Sequence, residues 1–252
     1  MKSSSVFLNS LLHFYSASIF FSGTSLLFSL LTSSKPFILS FFGTSISGDG
    51  SMLESRIITA QSDDNFIERM RFENEIISDI DSARMKFESI QFIQCQFNKC
   101  DFSKASFYDS VFDNCNFANC IFTGSYWKGS KILTCKGDGS NFSKSHMKET
   151  SLVDSSFRYA NFSSSVLENC ALHGCNFMEA LLSEIRLKKP KLKEVNFTGA
   201  DFFKTSLKDI DLSDCIIDGM IVSDICNELR GAIVNAWQAT ELAARFLGIK
   251  IV

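Results

Sequence analysis

The sequence predicts an all-β repeat solenoid, a four-sided coil of short strands that ends in a short helix and a strand. The first observation is a large apolar residue at almost every fifth position from Phe72 to Val222. Of the 31 positions in this series only Ser82 and Gly137 are not large and apolar, although apolar residues make up 45% of the chain. A period of five matches neither the α-helix nor the β-strand. It is typical of a solenoid in which each unit contacts only its neighbours.

The second observation is a small residue two positions before each large one, as in Cys95-Gln-Phe97 and Ala160-Asn-Phe162. Cys, Ala, Ser or Thr fills 21 of these 31 positions. One large and one small inward residue per five suit a narrow axis. Four fives would complete one turn, so residues twenty apart would stack and neighbouring turns would pair as parallel strands about 4.8 Å apart.

The repeat region, about Arg71 to Gly231, resembles the pentapeptide-repeat family, whose members fold as right-handed quadrilateral parallel β-helices. Two segments resemble the quinolone-resistance members of the Qnr and mycobacterial MfpA type. One is Arg158–Leu172, and the other is Leu229–Ile249, which is similar to the Qnr ending. The register does not slip from Phe72 to Val222, so the loops that interrupt many Qnr proteins are absent, as in the mycobacterial type.

The pattern after Val222 resumes at Leu229 and Val234, which predicts a two-residue insertion within residues 223–227. We therefore divide the chain into an extension (1–51), a lead-in (52–70), the β-helix (71–234) and a C-terminal helix and strand (235–252).

The C-terminal segment has apolar residues at helical spacing, with Asn235 as a predicted N-cap and Gly248 as a predicted C-terminal stop. Residues 249–252 are predicted to form a short strand. A solenoid needs a cap on its last turn. The resemblance implies in addition that this segment forms a two-fold homodimer. The candidate interface residues are Trp237, Leu242, Phe246, Leu247 and Ile249.

Residues 1–51 differ in composition from the repeats, and residues 6–31 form an uncharged apolar run long enough to span a bilayer. Three interpretations are open: a signal anchor or signal peptide, an extension without fixed structure, or an upstream leader before a natural start at Met52. A start at Met52 favours a cytoplasmic protein, and a real apolar segment favours a membrane-anchored one.

Cysteine and histidine patterns favour packing over chemistry. Eight of the nine cysteines occupy the small inward site, where a reduced thiol behaves as a small buried hydrophobe. Their spacing does not suit a zinc site or a disulfide, and Cys226 alone falls in the insertion. No nucleophile, base or cofactor loop is evident, and a smooth rod offers no deep pocket. We therefore expect a protein that is not an enzyme and that has no metal or cofactor.

The net charge of −3 does not favour a direct nucleic-acid binder. One local basic patch, interpreted as a solvated corner, opposes this trend: Arg186, Lys188, Lys189, Lys191 and Lys193. The resemblance implies a DNA-mimicking protein that binds type II topoisomerase (DNA gyrase or topoisomerase IV) and protects it from quinolone-type inhibitors. The candidate carboxylates facing gyrase are Asp101, Asp109, Asp113, Asp154, Glu168, Asp201, Asp209 and Asp211.

Two other functions stay open on the sequence. One is a structural or scaffolding protein that binds an unknown protein partner, tethered to a membrane if residues 6–31 are a real segment. The other is an immunity protein against a toxin that attacks gyrase.

Overall fold

The computed structural model describes residues 52–250, which form a parallel β-solenoid with a helix at each end. Helix α1 (Met52–Gln61) precedes the coil, a 3-10 turn (Asn227–Leu229) lies near its end, and helix α2 (Ala236–Leu247) follows it. The strands, each three residues long, are β1 (Phe66–Glu68), β2 (Arg71–Glu73), β3 (Ile76–Ser78), β4 (Lys86–Glu88), β5 (Gln91–Ile93), β6 (Gln96–Asn98), β7 (Ser106–Tyr108), β8 (Val111–Asp113), β9 (Tyr126–Lys128), β10 (Lys131–Leu133), β11 (His146–Lys148), β12 (Ser151–Val153), β13 (Val166–Glu168), β14 (Ala171–His173), β15 (Arg186–Lys188) and β16 (Lys191–Lys193).

The coil has four faces because each turn contains four repeats. Face 1 is a seven-stranded parallel sheet in the order β1-β4-β7-β9-β11-β13-β15, and face 2 is a second one that runs from β2 to β16. Face 3 begins with the pair β3-β6 and continues as single bridges, and face 4 consists of single bridges such as Asp101 to Ile121. Partners are 20 residues apart, as in Phe87 with Phe107, so the predicted four-repeat turn is confirmed.

The core consists of the stacked large residues. Phe87 and Phe107 stack with ring centroids 5.0 Å apart, and the Trp127 ring lies 4.1 Å beyond Phe107. On face 4, Phe122 and Phe142 stack at 4.6 Å. Rings of adjacent faces meet edge to face, so each aromatic residue contributes both buried area and favourable ring geometry.

The corners explain the polar part of the repeat. The residue two positions after each large one adopts a positive φ at most corners, for example 51° at Asn114 and 60° at Asn119. Asn, Asp and Gly tolerate this left-handed backbone best. Lysine also occupies it, as at Lys104 and Lys144, so the corner fixes the backbone but leaves the outward charge free to vary.

The two exceptions to the apolar series have different consequences. At Gly137 a Cβ would lie 2.5 Å from the Phe117 ring and 2.9 Å from the Phe157 ring. These two rings, two turns apart, approach to 6.3 Å across the glycine and close the space. Ser82 is fully buried, and its hydroxyl has no hydrogen-bond partner among the described residues.

The ends of the coil differ in part from the expected arrangement. Helix α1 buries Leu53 and Ile57 against the first turn, and β1 adds a repeat before Phe72. The C-terminal helix is confirmed, but Ile249 and Lys250 are not in a strand. Residues 1–51, with the apolar run at 6–31, and residues 251–252 lie outside the described part. Within residues 52–250 no helix is both long enough and apolar enough to cross a bilayer.

Candidate protein-binding surface

Helix α2 begins and ends as its sequence predicts. The Asn235 side chain accepts a hydrogen bond from the Gln238 N–H, and the Gln238 side chain accepts one from the Asn235 N–H, which forms a capping box. Gly248 ends the helix in a left-handed conformation with φ of 64°. Both bounds of the helix are therefore fixed locally, before any contact with a partner.

Gln238 also attaches the helix to the coil. Its side chain is buried, and Nε2 donates to the carbonyl oxygens of Leu212 and Cys215 at 2.9 and 2.7 Å. These carbonyls belong to the last turns, where no further strand supplies donors. One glutamine thus replaces part of the missing ladder, a role that the sequence pattern of apolar residues did not indicate.

The outer side of α2 is apolar and open. Trp237 and Leu247 are 78% and 72% exposed, and Ile249 is 49% exposed. Of the five predicted interface residues, Leu242 packs against the core of its own chain, and Phe246 is half-buried. The structure therefore leaves Trp237, Leu247 and Ile249 as the residues most available to a partner.

Further exposed isoleucines surround the same end. Ile216, Ile221 and Ile233 are each 50% exposed, and Ile225 is 70% exposed. Ile216, Ile221 and Ile233 lie on faces 3, 4 and 2 of the last turns. We call this end of the coil, together with α2, the C-terminal end surface.

The predicted insertion is confirmed, and a buried carboxylate stabilises it. In the regular ladder an N–H donates to the carbonyl of the residue 19 positions later, as Phe102 does to Ile121. The Leu207 N–H donates to the carbonyl of Glu228, which is 21 positions later, so two residues have been inserted. The Glu228 carboxylate accepts hydrogen bonds from the Lys204 N–H and from the N–H and hydroxyl of Ser223. Burial raises the pKa of Glu228, but these hydrogen bonds outweigh it and leave the pKa below its usual value.

The eight candidate carboxylates do not form one acidic face. Three of them stabilise turns, because the side chain accepts a hydrogen bond from the backbone N–H of the residue two positions later: Asp101, Asp201 and Asp211. Asparagines at the equivalent position of other repeats do the same. Three lie at left-handed corners: Asp109, Asp154 and Asp209. Asp113 and Glu168 lie at strand ends. Glu168 is within 3.4 Å of Lys188 and 3.7 Å of Lys148, which lowers its pKa, chiefly through the hydrogen bond from Lys188.

Acidic groups are unevenly distributed along the coil. From Lys99 to Glu184 there are nine acidic and eight basic side chains, so the charges nearly cancel. From Asp201 to Asp224 there are six aspartates and two lysines. From Asp63 to Asp81 there are seven acidic side chains and two arginines, so the coil is acidic at both ends, and one of these ends adjoins the C-terminal end surface.

The small inward residues also make hydrogen bonds to the backbone of the preceding turn. The Ser140 hydroxyl donates to the Phe117 carbonyl at 2.7 Å, and the Thr205 hydroxyl donates to the Leu182 carbonyl at 2.7 Å. Cysteine thiols occupy the same geometry, as in Cys120 with Phe97 at 3.4 Å. All eight inward cysteines are buried and free, as predicted. Burial raises the pKa of Cys170 to about 11, so this thiol stays protonated at neutral pH.

Histidines lie on the outside as the register predicts. His146 Nε2 is 3.8 Å from a Glu168 carboxylate oxygen, and His173 Nε2 is 3.6 Å from Glu194. Within residues 52–250 no cluster of histidine, cysteine and carboxylate groups is arranged to hold a metal ion. His13 lies outside the described part.

These observations define a class: a four-sided parallel solenoid of five-residue repeats. Two family models described as pentapeptide repeats match residues 87–131 and residues 138–174 and 180–219. The chain belongs to the pentapeptide-repeat proteins.

Comparisons with individual proteins are weaker. No curated protein matches the chain. Among solved structures, a trypsin-treated form of QnrB1, a plasmid-mediated fluoroquinolone resistance protein, is 25% identical over 74% of this chain and 95% of its own, with a TM-score of 0.43. HetL, a protein involved in heterocyst differentiation regulation from the cyanobacterium Nostoc sp. strain PCC 7120, is 12% identical over 71% and 96%, with a TM-score of 0.30. Rfr23 from Cyanothece 51142 is 12% identical over 72% and 99%, with a TM-score of 0.19.

Proposed function

We propose that this protein binds a type II topoisomerase, DNA gyrase in the first instance, and protects it from quinolone-type inhibitors without catalysing a reaction. The observation that supports this proposal best is the C-terminal end surface. Its sequence, Leu229–Ile249, resembles the Qnr ending, and it carries an independently capped helix with an exposed apolar side.

The C-terminal end surface forms the two-fold dimer contact in this proposal. Trp237, Leu247 and Ile249 are exposed in the single chain and would be buried in the pair. Aromatic side chains are enriched among the residues that contribute most to protein interfaces. Substituting Trp237 with Glu places a charge in that contact, so we expect the dimer to dissociate while the coil stays folded.

The acidic C-terminal part of the coil supplies the mimicry in this proposal. A two-fold contact through α2 brings the aspartates between Asp201 and Asp224 of both copies to the centre of the assembly. Outward carboxylates imitate phosphates toward a protein surface that grips DNA with Lys and Arg. In this arrangement Asp201, Asp209 and Asp211 face gyrase most directly, whereas the candidate Glu168 is flanked by Lys148 and Lys188.

A corner aspartate gives a clean test, because lysine tolerates the same backbone at Lys189 and Lys204. We expect Asp209→Lys to weaken gyrase binding about three- to tenfold, as a rim charge in a steered complex does. The matched control is Asp79→Lys, a corner residue with φ of 55° at the opposite end of the coil. It should leave binding unchanged.

The same binding measurement is repeated at several salt concentrations. Electrostatic mimicry requires affinity to fall steeply as ionic strength rises. Equal binding by both variants, or affinity that does not change with salt, would contradict the mimicry account and favour a scaffold that uses apolar contacts alone.

A further inference from the structure

The local basic patch coincides with a break in the coil. Its residues lie on and between β15 and β16, which are the last strands of the sheets on faces 1 and 2. Elsewhere on face 1 the corner N–H donates a hydrogen bond to a carbonyl of the next turn, as the Asp109 N–H does to the Lys128 carbonyl at 2.8 Å. Within the described residues, no backbone hydrogen bond joins residues 185–194 to residues 205–214.

The break is confined to two faces. On faces 3 and 4 the turns stay paired, with Phe197 N–H to the Ile216 carbonyl at 2.7 Å and Phe202 N–H to the Ile221 carbonyl at 2.8 Å. On faces 1 and 2 the later segment pairs only with the turn after it, as Leu207 does with Glu228. The wall of the coil is therefore open on one side and joined on the other.

The opening forms a cleft of about 470 Å³, which departs from the smooth surface that the repeat predicts. Its lining residues are Ser164, Glu184, Ile185, Arg186, Leu187, Lys204, Ser206 and Lys208. Leu187 and Leu192 are only partly buried, whereas Leu167 and Leu172, one turn earlier, are 2% and 3% exposed.

We propose that this cleft binds a short acidic peptide segment in extended conformation, which pairs with the open edge of β15 as an added strand. The N–H of Leu187 and the carbonyl of Ile185 have no backbone partner in the next turn. A strand edge of alternating donors and acceptors is completed by another peptide backbone. Since β15 is three residues long, the paired stretch is about 10 Å long.

Charge selects the composition of that peptide. Arg186, Lys204 and Lys208 line the cleft, and the remaining lysines of the basic patch flank it. Glu184 is the one carboxylate in the lining, and it lies 3.6 Å from Lys204. Glu or Asp side chains that alternate with apolar ones would place charges on the basic rim and apolar groups against Ile185 and Leu187.

The backbone pattern favours a peptide over a nucleic acid. Phosphates would use the lysines and the free N–H groups, but they would leave the free carbonyls without donors. This inference does not depend on topoisomerase binding, because it concerns basic rather than acidic side chains and a different partner.

The test uses the full-length chain and a fluorescein-labelled six-residue peptide of alternating Glu and Val, followed by fluorescence anisotropy. We expect saturable binding that is lost when alternate peptide nitrogens are methylated, because methylation removes the donors needed for strand pairing. The double variant Arg186→Glu, Lys208→Glu should weaken binding about tenfold or more, equivalent to losing one charge-assisted contact. The charge-matched control Lys131→Glu, Lys136→Glu alters exposed residues where the ladder is intact and should bind normally.

Hydrogen exchange supplies an independent readout. The Leu187 amide should exchange faster than the Leu167 amide in the free protein and should slow when the peptide binds. The inference is overturned if Leu187 is already protected without peptide, if the methylated peptide binds equally well, or if a labelled twelve-residue oligo-dT binds in the cleft more tightly than the peptide.

Discussion

Replacing Gln238 with alanine tests how the C-terminal helix is held on the coil. The Gln238 side chain is 4% exposed and donates to two carbonyls, those of Leu212 and Cys215. In the alanine variant the Cys215 carbonyl loses its donor, whereas the Leu212 carbonyl keeps its hydrogen bond from the Cys215 N–H. A buried acceptor left without a donor costs about 1–3 kcal/mol, whereas alanine recovers only a few tenths in helix propensity. We expect a loss of about 1–3 kcal/mol in the free energy that keeps α2 docked.

The assay is hydrogen exchange of the α2 amides, with light scattering to measure the mass in solution. The Gln238→Ala variant should lose protection in α2 but keep it in the coil, and it should fail to dimerise. Thr240→Ala is the matched control, because Thr240 is exposed on the same helix and bonds only to the Ala236 carbonyl within it. Unchanged protection of α2 in the Gln238 variant would refute this account of its docking.

Three further predictions concern the coil and its end. Ser140→Ala should cost about 0.5–1.5 kcal/mol, because it removes the hydroxyl bond to the Phe117 carbonyl, which keeps its bond from the Cys120 N–H. Ser165→Ala should be neutral or stabilising, because the buried Ser165 hydroxyl has no partner among the described residues; urea unfolding of both variants checks this. Gly137→Ala should lower the free energy of unfolding by about 1–3 kcal/mol, since the new Cβ would lie 2.5 Å from the Phe117 ring and 2.9 Å from the Phe157 ring. A melting temperature equal to or above that of the unchanged protein would contradict this prediction. Burial and the nearby Asp218 raise the pKa of Glu241, so the folded protein is most stable when this carboxyl is protonated and loses stability as the pH rises. Glutamine keeps the neutral form at every pH. The melting temperature of Glu241→Gln should therefore exceed that of the unchanged protein by a margin that grows from pH 4 to pH 7.

The sequence predicts the coil well because its period is set by packing that repeats without interruption. Phe87, Phe107 and Trp127 occupy equivalent places in successive turns, so one rule describes each of them. The two-residue insertion was also predictable, because it shifts the register of every later repeat. Local capping signals likewise fixed both ends of α2 at Asn235 and Gly248.

Features that depend on more than one turn were not predictable. The closure of the rings of Phe117 and Phe157 over Gly137 requires the positions of three stacked turns. The break beside β15 leaves the apolar series intact, because Leu187 and Leu207 both satisfy it. The candidate carboxylates were chosen by their outward register, which does not distinguish Asp101, bonded into a turn, from Asp209 at a corner.

The most direct test of the central proposal is a gyrase supercoiling assay in the presence of a fluoroquinolone, with the purified protein added across a concentration series. The account predicts that supercoiling is restored at low protein concentration and inhibited at high concentration, and that Trp237→Glu removes both effects. A folded dimer that has no effect at any concentration would contradict topoisomerase protection and would favour a scaffolding role for this solenoid.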